Sequence, residues 1–475
     1  MSARASHNPI GALPEEVSEL VRRLIAAAKK LGLTLYLVGG PVRDWLLERE
    51  VADVDLLIAG GSEKTPELLA RKVRGPQTRI REHRRFGTLT LSIGEHNVDL
   101  ARMRREDYLH NGALPKVTDG SLEEDLLRRD FSVNALVIPL LGTEKIAAGS
   151  ADHAPSTDAT DGFSDDLSND LSNNVIDIVG GLTDLKEHSL RVLHPLSFHD
   201  DPTRALRAAR FCSRLGFKLS RGSRSYLRDA LRDGAFGAVS GDRLRREFEK
   251  LFLEARRGGN PTSALERLHS WHVLGALEPG LILDARAKPA LRRLSKMLAD
   301  PPWRLRENRA WVAGLCLWLA PLNPGMRRRV INRLSVRGDA GERIVNFPKD
   351  QRRWIKALED TRGRGGVDSV LAELDEDQLL ALCAGSEPLL RRRVLRWAAE
   401  DRDRRIPVSG RDLLAAELEG PVIGVALTRI RAAYLDGEVA NREEALALAR
   451  EIQRRSSAPR RPRRKKRRVS PTRPE

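Results

Sequence analysis

Residues 37–60 read LVGGPVRDWLLEREVADVDLLIAG, and this stretch decides the fold of the first part of the chain. An apolar strand ends at the glycine pair Gly39 and Gly40, and Pro41 suits the first turn of a following helix. The next apolar run carries Asp53 and Asp55, and because strand side chains alternate between faces, both carboxylates project from the same face. The stretch therefore predicts strand, glycine turn, helix and strand, with two like charges on an apolar strand.

Two neighbouring carboxylates admit two interpretations: an edge strand with solvated charges, or ligands of a divalent cation. Hard oxygen ligands select Mg²⁺, which also accepts phosphate oxygens as ligands. A glycine turn that leads into a helix presents backbone N–H groups to a phosphate, and Arg43 lies one turn into that helix. The combination favours a site for magnesium and phosphate over an edge strand.

The composition describes a basic protein of several domains. The chain has 475 residues, of which 41% are hydrophobic and only 4% aromatic, so leucine, alanine and valine should dominate its cores. Its formal charge is +17, and residues 460–475 account for +8 of it, so the rest of the chain is basic as well. Such a charge favours a polyanionic partner, although a general preference for arginine would give the same composition.

Neither a membrane segment nor a metal cluster is visible in the sequence. The longest apolar run, at 310–322, is too short to span a bilayer, and the N-terminus has no apolar signal region. Three scattered cysteines, Cys212, Cys316 and Cys383, neither pair by spacing nor suggest a zinc site. We therefore expect a cytoplasmic protein without a membrane partner, and the oligomeric state stays open.

The secondary-structure pattern changes from mixed to helical along the chain. An amphipathic helix is predicted at 14–32, and a helix that runs into an apolar segment is predicted at 122–141. Short strands are predicted at 33–40, 51–60, 87–94 and 96–103. Helical periodicity then recurs at 203–216, 223–234, 242–256, 262–275, 304–320, 368–384, 387–400, 410–416 and 422–450.

Several blocks of sequence resemble one family. LVGGPVRDWLL followed by DVDLLI resembles the signature of polymerase-β-type nucleotidyltransferases, specifically the class II tRNA nucleotidyltransferase and bacterial poly(A) polymerase family, which includes CCA-adding enzymes. Further blocks of this family are matched by DLLRRDFSVNAL at 125–136, IVGGLTDL at 178–185, DDPTRALRAARF at 200–211, SGDRLRREFEKL at 240–251 and the segment 409–449. The resemblance covers residues 30–142 and 176–450.

The resemblance implies an α+β protein whose N-terminal nucleotidyltransferase head, with a small mixed sheet, is followed by an elongated all-α neck, body and tail. The Ser-, Asp- and Asn-rich segment and the terminal basic run fall outside the family pattern and are predicted to be disordered. The predicted divisions are a head at 1–142 completed by 176–195, an acidic insertion at 143–175, a neck with the base-selecting helix at 196–260, a body at 261–400, a tRNA-binding tail at 401–455 and a basic tail at 456–475.

The resemblance also implies the site residues. Asp53 and Asp55 would bind Mg²⁺, and Asp99 in HNVDLARM is a candidate third catalytic carboxylate. Arg129 corresponds to the arginine that contacts nucleotide phosphate in the family, and Asn134 is a positioning candidate. The full set of implied nucleotide-binding residues is Gly39, Gly40, Arg43, Arg129, Asp130, Asn134, Asp201, Arg204, Arg207 and Arg210.

Asp201 and Arg204 suggest how a base is chosen. They are three residues apart, so on a helix they would share a face. A carboxylate only accepts hydrogen bonds and a guanidinium only donates them, which complements the exocyclic amine and ring nitrogen of cytosine and adenine. Uracil and guanine would present a carbonyl oxygen to the carboxylate and be rejected. The alternative is a plain salt bridge, and Asp200, where the family usually has glutamate, leaves open how the pair is braced.

The implied function is template-independent addition of C, A or both from CTP and ATP to the 3′ end of tRNA, with Mg²⁺ as cofactor and pyrophosphate as product. Alternatives within the family are an A-only tRNA enzyme and a poly(A) polymerase. Residues 108–118 resemble a mobile loop linked in the family to the switch from C to A. Outside the family, a noncatalytic RNA-binding protein remains an alternative.

Overall fold

The computed structural model describes residues 8–51, 53–83, 87–107, 116–141 and 174–457. The predicted acidic insertion and basic tail lie almost entirely outside these residues, as does most of the segment 108–118. The chain divides into two compact units. The first runs to Glu254 and adds Gly258–Leu283 and Asn332–Val336, and the second comprises Ala255–Arg257, Asp284–Ile331 and the chain from Arg337 onward. The finer division into neck, body and tail stays a prediction.

The first unit contains a mixed β-sheet, as predicted. Its order is β3-β4-β5-β2-β1-β8, and only the β2–β5 pair is parallel. A hairpin, β6–β7, and a short parallel pair, β9–β10, lie apart from it. The strands are β1 Thr34–Val38, β2 Asp53–Ala59, β3 Arg79–His83, β4 Thr88–Ile93, β5 His96–Arg102, β6 Arg104–Asp107, β7 Lys116–Asp119, β8 Val137–Leu141, β9 Ser189–Leu190 and β10 Lys218–Leu219.

Helices cover both faces of this sheet. The helices of the first unit are α1 Glu15–Lys30, α2 Gly40–Leu46, α3 Thr65–Val73, α4 Leu122–Leu127, α5 Gly181–Lys186, α6 Ser197–Asp200, α7 Arg204–Leu215, α8 Arg221–Arg232, α9 Gly241–Leu253, α10 Pro261–Ser270 and α11 Val273–Leu277. Helices α1 and α3 pack on each other and on the sheet. On the other face, Leu57 of β2 packs with Leu122 and Leu126 of α4. Asp53 and Asp55 share the Leu57 face because the side-chain period of a strand is two residues.

The segment 122–141 differs from its prediction. The helix ends at Leu127, a 3₁₀ turn spans Ser132–Asn134, and the apolar stretch is strand β8, which pairs antiparallel with β1. A short apolar run has no period long enough to separate a buried strand from a buried helix, so pairing with β1 decides its conformation.

The second unit is helical in its described residues. It contains α12, α13, most of α14 and the helices from α15 onward. Their bounds are α12 Lys288–Ala299, α13 Ala310–Leu319, α14 Pro324–Arg333, α15 Gly338–Asp360, α16 Gly363–Leu371, α17 Glu376–Gly385, α18 Pro388–Arg396, α19 Gly410–Ala415, α20 Pro421–Asp436 and α21 Arg442–Ser457. The predicted helix at 422–450 is in fact two, because Gly437 ends α20 with a left-handed φ of 81°.

The apolar run at 310–322 is a core helix. Almost every residue of α13 is buried, which is expected for a helix that is apolar on all sides. In the described residues, no helix combines the length and apolar character needed to cross a bilayer. Cys212, Cys316 and Cys383 are buried and form no disulfide.

Candidate active site

Three carboxylates meet on neighbouring strands of the sheet. Strands β2 and β5 run parallel with Asp55 directly opposite Asp99, and Asp53 lies two residues before Asp55 on the same face. Thr90 on β4 stands opposite Asp99, and its Oγ1 donates to Oδ1 of Asp99 at 2.5 Å. The structure therefore brings together all three predicted catalytic carboxylates.

The environment of Asp55 disfavours an isolated negative charge. The pKa of Asp55 is raised to about 6, chiefly by burial and also by the nearby carboxylates of Asp99 and Asp53, against the opposing effect of Arg129 and Arg43. The side chain still keeps some accessible surface. A bound cation would stabilise the negative charge of Asp55, because this carboxylate has a raised pKa and lies beside two others.

The donor set fits Mg²⁺. In the part of the chain that the structure describes, no group of three or more His, Cys, Asp or Glu side chains is arranged to hold a metal by itself. Mg²⁺ commonly takes only one or two protein carboxylates and completes its shell with water and substrate phosphates. Asp53 and Asp55 offer two such carboxylates on a rigid strand.

Gly39 allows an arginine to approach the carboxylates. Its φ is +79°, and a Cβ at this position would lie 2.9 Å from Nη1 of Arg129 and 3.8 Å from Oδ2 of Asp55. Arg129 is held there by Asp125, whose Oδ2 accepts from Nη2 at 3.0 Å, and by the Asn134 carbonyl at 3.4 Å. Asp125 itself is fully buried. The glycine turn thus allows the Arg129 side chain to lie close to the backbone at Gly39, and it also starts α2.

We expect Gly39→Ala to lower kcat/KM for the nucleotide addition that the family resemblance implies by about tenfold or more, since an arginine displaced by an ångström misaligns substrate. The positive φ adds a folding cost of about 1–3 kcal/mol. Gly32→Ala is a matched control, because Gly32 also has a positive φ of +64° but open space around its Cβ position. Steady-state kinetics and thermal unfolding separate the two effects; equal activity losses in both variants would contradict the role of the close approach.

A polar network connects the predicted phosphate-binding residues. Oδ1 of Asn134 accepts from Arg43, and its Nδ2 donates to Oδ1 of Asp130 at 3.0 Å. Nε of Arg207 donates to Oδ2 of Asp130 at 2.8 Å, and Arg43 binds both oxygens of Asp44 at 2.8 Å. Burial opposes the charge on Asp130, but Arg207 and Asn134 outweigh it and lower the pKa of Asp130 to about 2. Arg43 is therefore fixed within the network, with its guanidinium beside Gly40.

Phe211 is a central residue that the sequence reasoning did not single out. It packs edge-to-face on Phe131, with ring centroids 5.8 Å apart. Four guanidinium groups lie 4.7 to 5.9 Å from its ring centroid, those of Arg43, Arg207, Arg210 and Arg214. Arg210 also donates to Oε1 of Glu254 at 2.6 Å. The available signal was the spacing of three of these arginines around an aromatic residue on α7.

The prediction that Asp201 and Arg204 share a helical face is wrong. Asp201 precedes α7 with extended backbone angles, φ −137° and ψ 92°, because the following Pro202 disfavours the helical region at the residue before it. Arg204 opens α7 and is buried, and it donates to Oγ of Ser197 at 3.0 Å and to the Arg128 carbonyl at 2.9 Å. The two side chains therefore do not form the plain salt bridge, and Arg204 is tied to the chain next to Arg129.

The mixed sheet, the strand carboxylates and the glycine turn define a nucleotidyltransferase head. Residues 35–165 match the model of the poly A polymerase head domain. Over this head the chain is similar to poly A polymerases, and over more of its length it is similar to tRNA nucleotidyltransferases.

Similar proteins extend this match beyond the head. An A-adding tRNA nucleotidyltransferase of Geobacter sulfurreducens is 29% identical over 449 residues, which cover 92% of this chain and 47% of the relative. The chain thus spans about half the length of that protein. An A-adding tRNA nucleotidyltransferase of Halalkalibacterium halodurans is 28% identical over 91% of this chain and 92% of the relative. A solved apo structure described as a tRNA-processing enzyme superposes with a TM-score of 0.62 at 26% identity, covering 89% of this chain and 99% of that one.

Proposed function

We propose that this protein is a template-independent RNA nucleotidyltransferase that adds C, A or both from CTP and ATP to the 3′ end of tRNA. The observation that carries the proposal is the meeting of Asp53 and Asp55 with Arg129 at the Gly39 turn. Carboxylates for a divalent cation and a guanidinium for phosphate are the two groups that phosphoryl transfer needs side by side. The net charge of +17 suits an RNA partner, and the names of the relatives suggest tRNA. The cytoplasm is the proposed compartment.

The protein's own residues would position the reactants. Arg129, fixed by Asp125, would bind the triphosphate beside Asp55, and the backbone at Gly39 and Gly40 would approach its phosphates. Asp53 and Asp55 would hold Mg²⁺, which when bound lowers the pKa of an attacking hydroxyl and stabilises the leaving oxygen. Asp99, oriented by Thr90, would add a third negative charge next to Asp55. The network through Asn134 and Asp130 would keep Arg43 and Arg207 at fixed positions around the nucleotide.

A-only addition to tRNA is a second candidate. It is favoured because two relatives that match more than nine tenths of this chain carry A-adding names. Poly(A) synthesis has no comparable support among the relatives described above. A noncatalytic RNA-binding protein would have no need for two strand carboxylates with Arg129 beside them, and this arrangement supports an enzyme instead.

Three tRNA substrates distinguish these functions. Purified protein is incubated with tRNAs that lack A, CA or CCA, with CTP, ATP or both, and the products are separated at single-nucleotide resolution. Completion of all three substrates to CCA supports full CCA addition, whereas use of only the tRNA that already ends in CC supports the A-only enzyme. Long A tails would indicate a poly(A) polymerase, and no addition to any substrate overturns the proposal.

A further inference from the structure

The carboxylate of Asp201 is held by donors that all meet one of its two oxygens. Oδ1 accepts from the backbone N of Thr203 at 3.0 Å and from Oγ1 of Thr203 at 2.6 Å. Arg243, which comes from α9, places Nη2 at 2.7 Å from the same oxygen. A carboxylate oxygen has two lone pairs, so the two Thr203 hydrogen bonds and the Arg243 ion pair occupy Oδ1 and leave Oδ2 as the acceptor for a ligand. The side chain of Asp201 keeps 18% of its surface exposed, which leaves it within reach of a ligand.

We propose that Arg243 and Thr203 are positioning residues that fix Asp201 and thereby set the selectivity of the enzyme for adenine and cytosine over guanine and uracil. This inference rests on the proposed function and identifies what maintains its base-reading group. A fixed Oδ2 accepts from the exocyclic amine of adenine or cytosine. The carbonyl oxygen of guanine or uracil would be repelled by the lone pairs of Oδ2. The carboxylate cannot rotate to avoid this repulsion while Thr203 and Arg243 hold Oδ1.

The brace does not come from the neighbouring acid. Oδ2 of Asp200 faces Nε2 of His194 at 3.7 Å and takes no part in the three contacts that hold Asp201. Asp201 instead is fixed from α9, some forty residues further on, and from the turn that begins α7. This arrangement explains how a chain with Asp200 in place of the family's usual glutamate can keep the base-reading carboxylate in place.

Selectivity is a sharp test because a ratio of two nucleotides measured on one sample is independent of the fraction folded. We expect Arg243→Met to lower the ratio of kcat/KM for ATP over GTP by about tenfold or more, since a site built to pair a polar group loses its discrimination when that group is loosened. The CTP over UTP ratio should fall likewise if the wild type adds C. Arg243→Lys keeps the charge and one donor and should restore part of the ratio.

Arg245→Met is the matched control. Arg245 lies on the same helix and pairs with Asp242 at 3.1 Å and Glu249 at 2.5 Å, so its loss removes the same charge without touching Asp201. A second pair tests the other donor independently. Thr203→Ser keeps the hydroxyl and should preserve the ratio, whereas Thr203→Val removes it and should lower the ratio. This pair decides the proposal even if Arg243→Met fails to fold.

The outcomes separate the two levels of the argument. Reduced ratios in Arg243→Met and Thr203→Val, with wild-type ratios in Arg245→Met and Thr203→Ser, support the inference. Equal losses for ATP and GTP, with the ratio unchanged, overturn the inference and leave the proposed function intact. A wild-type protein that adds no nucleotide to any tRNA overturns the proposed function and the inference together.

Discussion

Asp53→Ala is expected to lower the rate of nucleotide addition by about 10³-fold or more, comparable to the loss of a major charge-stabilising group in other active sites. Asp53 lies on β2 two residues before Asp55 and on the same face, so its removal leaves a single strand carboxylate at the proposed cation site. Single-turnover incorporation of ATP into a tRNA ending in CC measures the chemical step apart from product release. Affinity for tRNA should be kept, because losing a negative charge does not weaken the binding of a polyanion.

Glu95→Ala serves as the control for this variant. Glu95 is an exposed carboxylate in the turn between β4 and β5, so its loss changes the charge of the head by the same amount away from the proposed site. We expect wild-type rates for Glu95→Ala. An Asp53→Ala protein that still adds nucleotides within tenfold of wild type would show that the cation assignment is wrong.

The sequence predicted the elements whose signals are local. Strands β1 and β2 were recognisable because apolar residues alternate around Asp53 and Asp55 and a glycine pair ends β1. Pro202 was also a local signal. It disfavoured a helical conformation at Asp201, and the reasoning from i,i+3 spacing overlooked it.

Tertiary pairing produced what the sequence could not show. The Asp55–Asp99 contact depends on parallel pairing of β2 with β5, and no pattern within either strand specifies its neighbour or register. The role of Phe211 depends on Arg43, more than 160 residues away in sequence. Arg243 lies in a block that the family resemblance did identify, but its contact with Asp201 requires α9 to pack beside α7.

The helices missed in the second unit illustrate a third limit. Helix α15 spans Gly338–Asp360 and includes Pro348, a residue that normally ends or kinks a helix. Its buried side chains include Ile344, Phe347 and Trp354. Packing of this apolar stripe outweighs the unfavourable intrinsic propensity of glycine and proline, which single-sequence reasoning cannot weigh.

The second unit contains a buried carboxylate whose removal should lower the free energy of unfolding of that unit. Asp368 on α16 is buried, and its Oδ1 accepts from Nε1 of Trp397 at 2.8 Å and from Nη2 of Arg431 at 2.8 Å. Its Oδ2 accepts from Nε of the same arginine at 2.7 Å. The carboxylate thereby connects α16 with the segment after α18 and with α20, and all three of these donors depend on one side chain.

We expect Asp368→Ala to lower the free energy of unfolding of the second unit by about 3–5 kcal/mol, because Arg431 is left without its main counter-charge in a partly buried position. Two units need not unfold in one transition, so denaturant unfolding should be followed by circular dichroism and by tryptophan fluorescence, to which Trp397 and four other tryptophans of the second unit contribute. Asp403→Ala is the control: Asp403 pairs with Arg306 at 2.6 Å, but its side chain is 70% exposed, and exposed pairs contribute little. If Asp368→Ala shifts the unfolding midpoint no further than Asp403→Ala does, the bidentate pair is not what holds these three helical segments together.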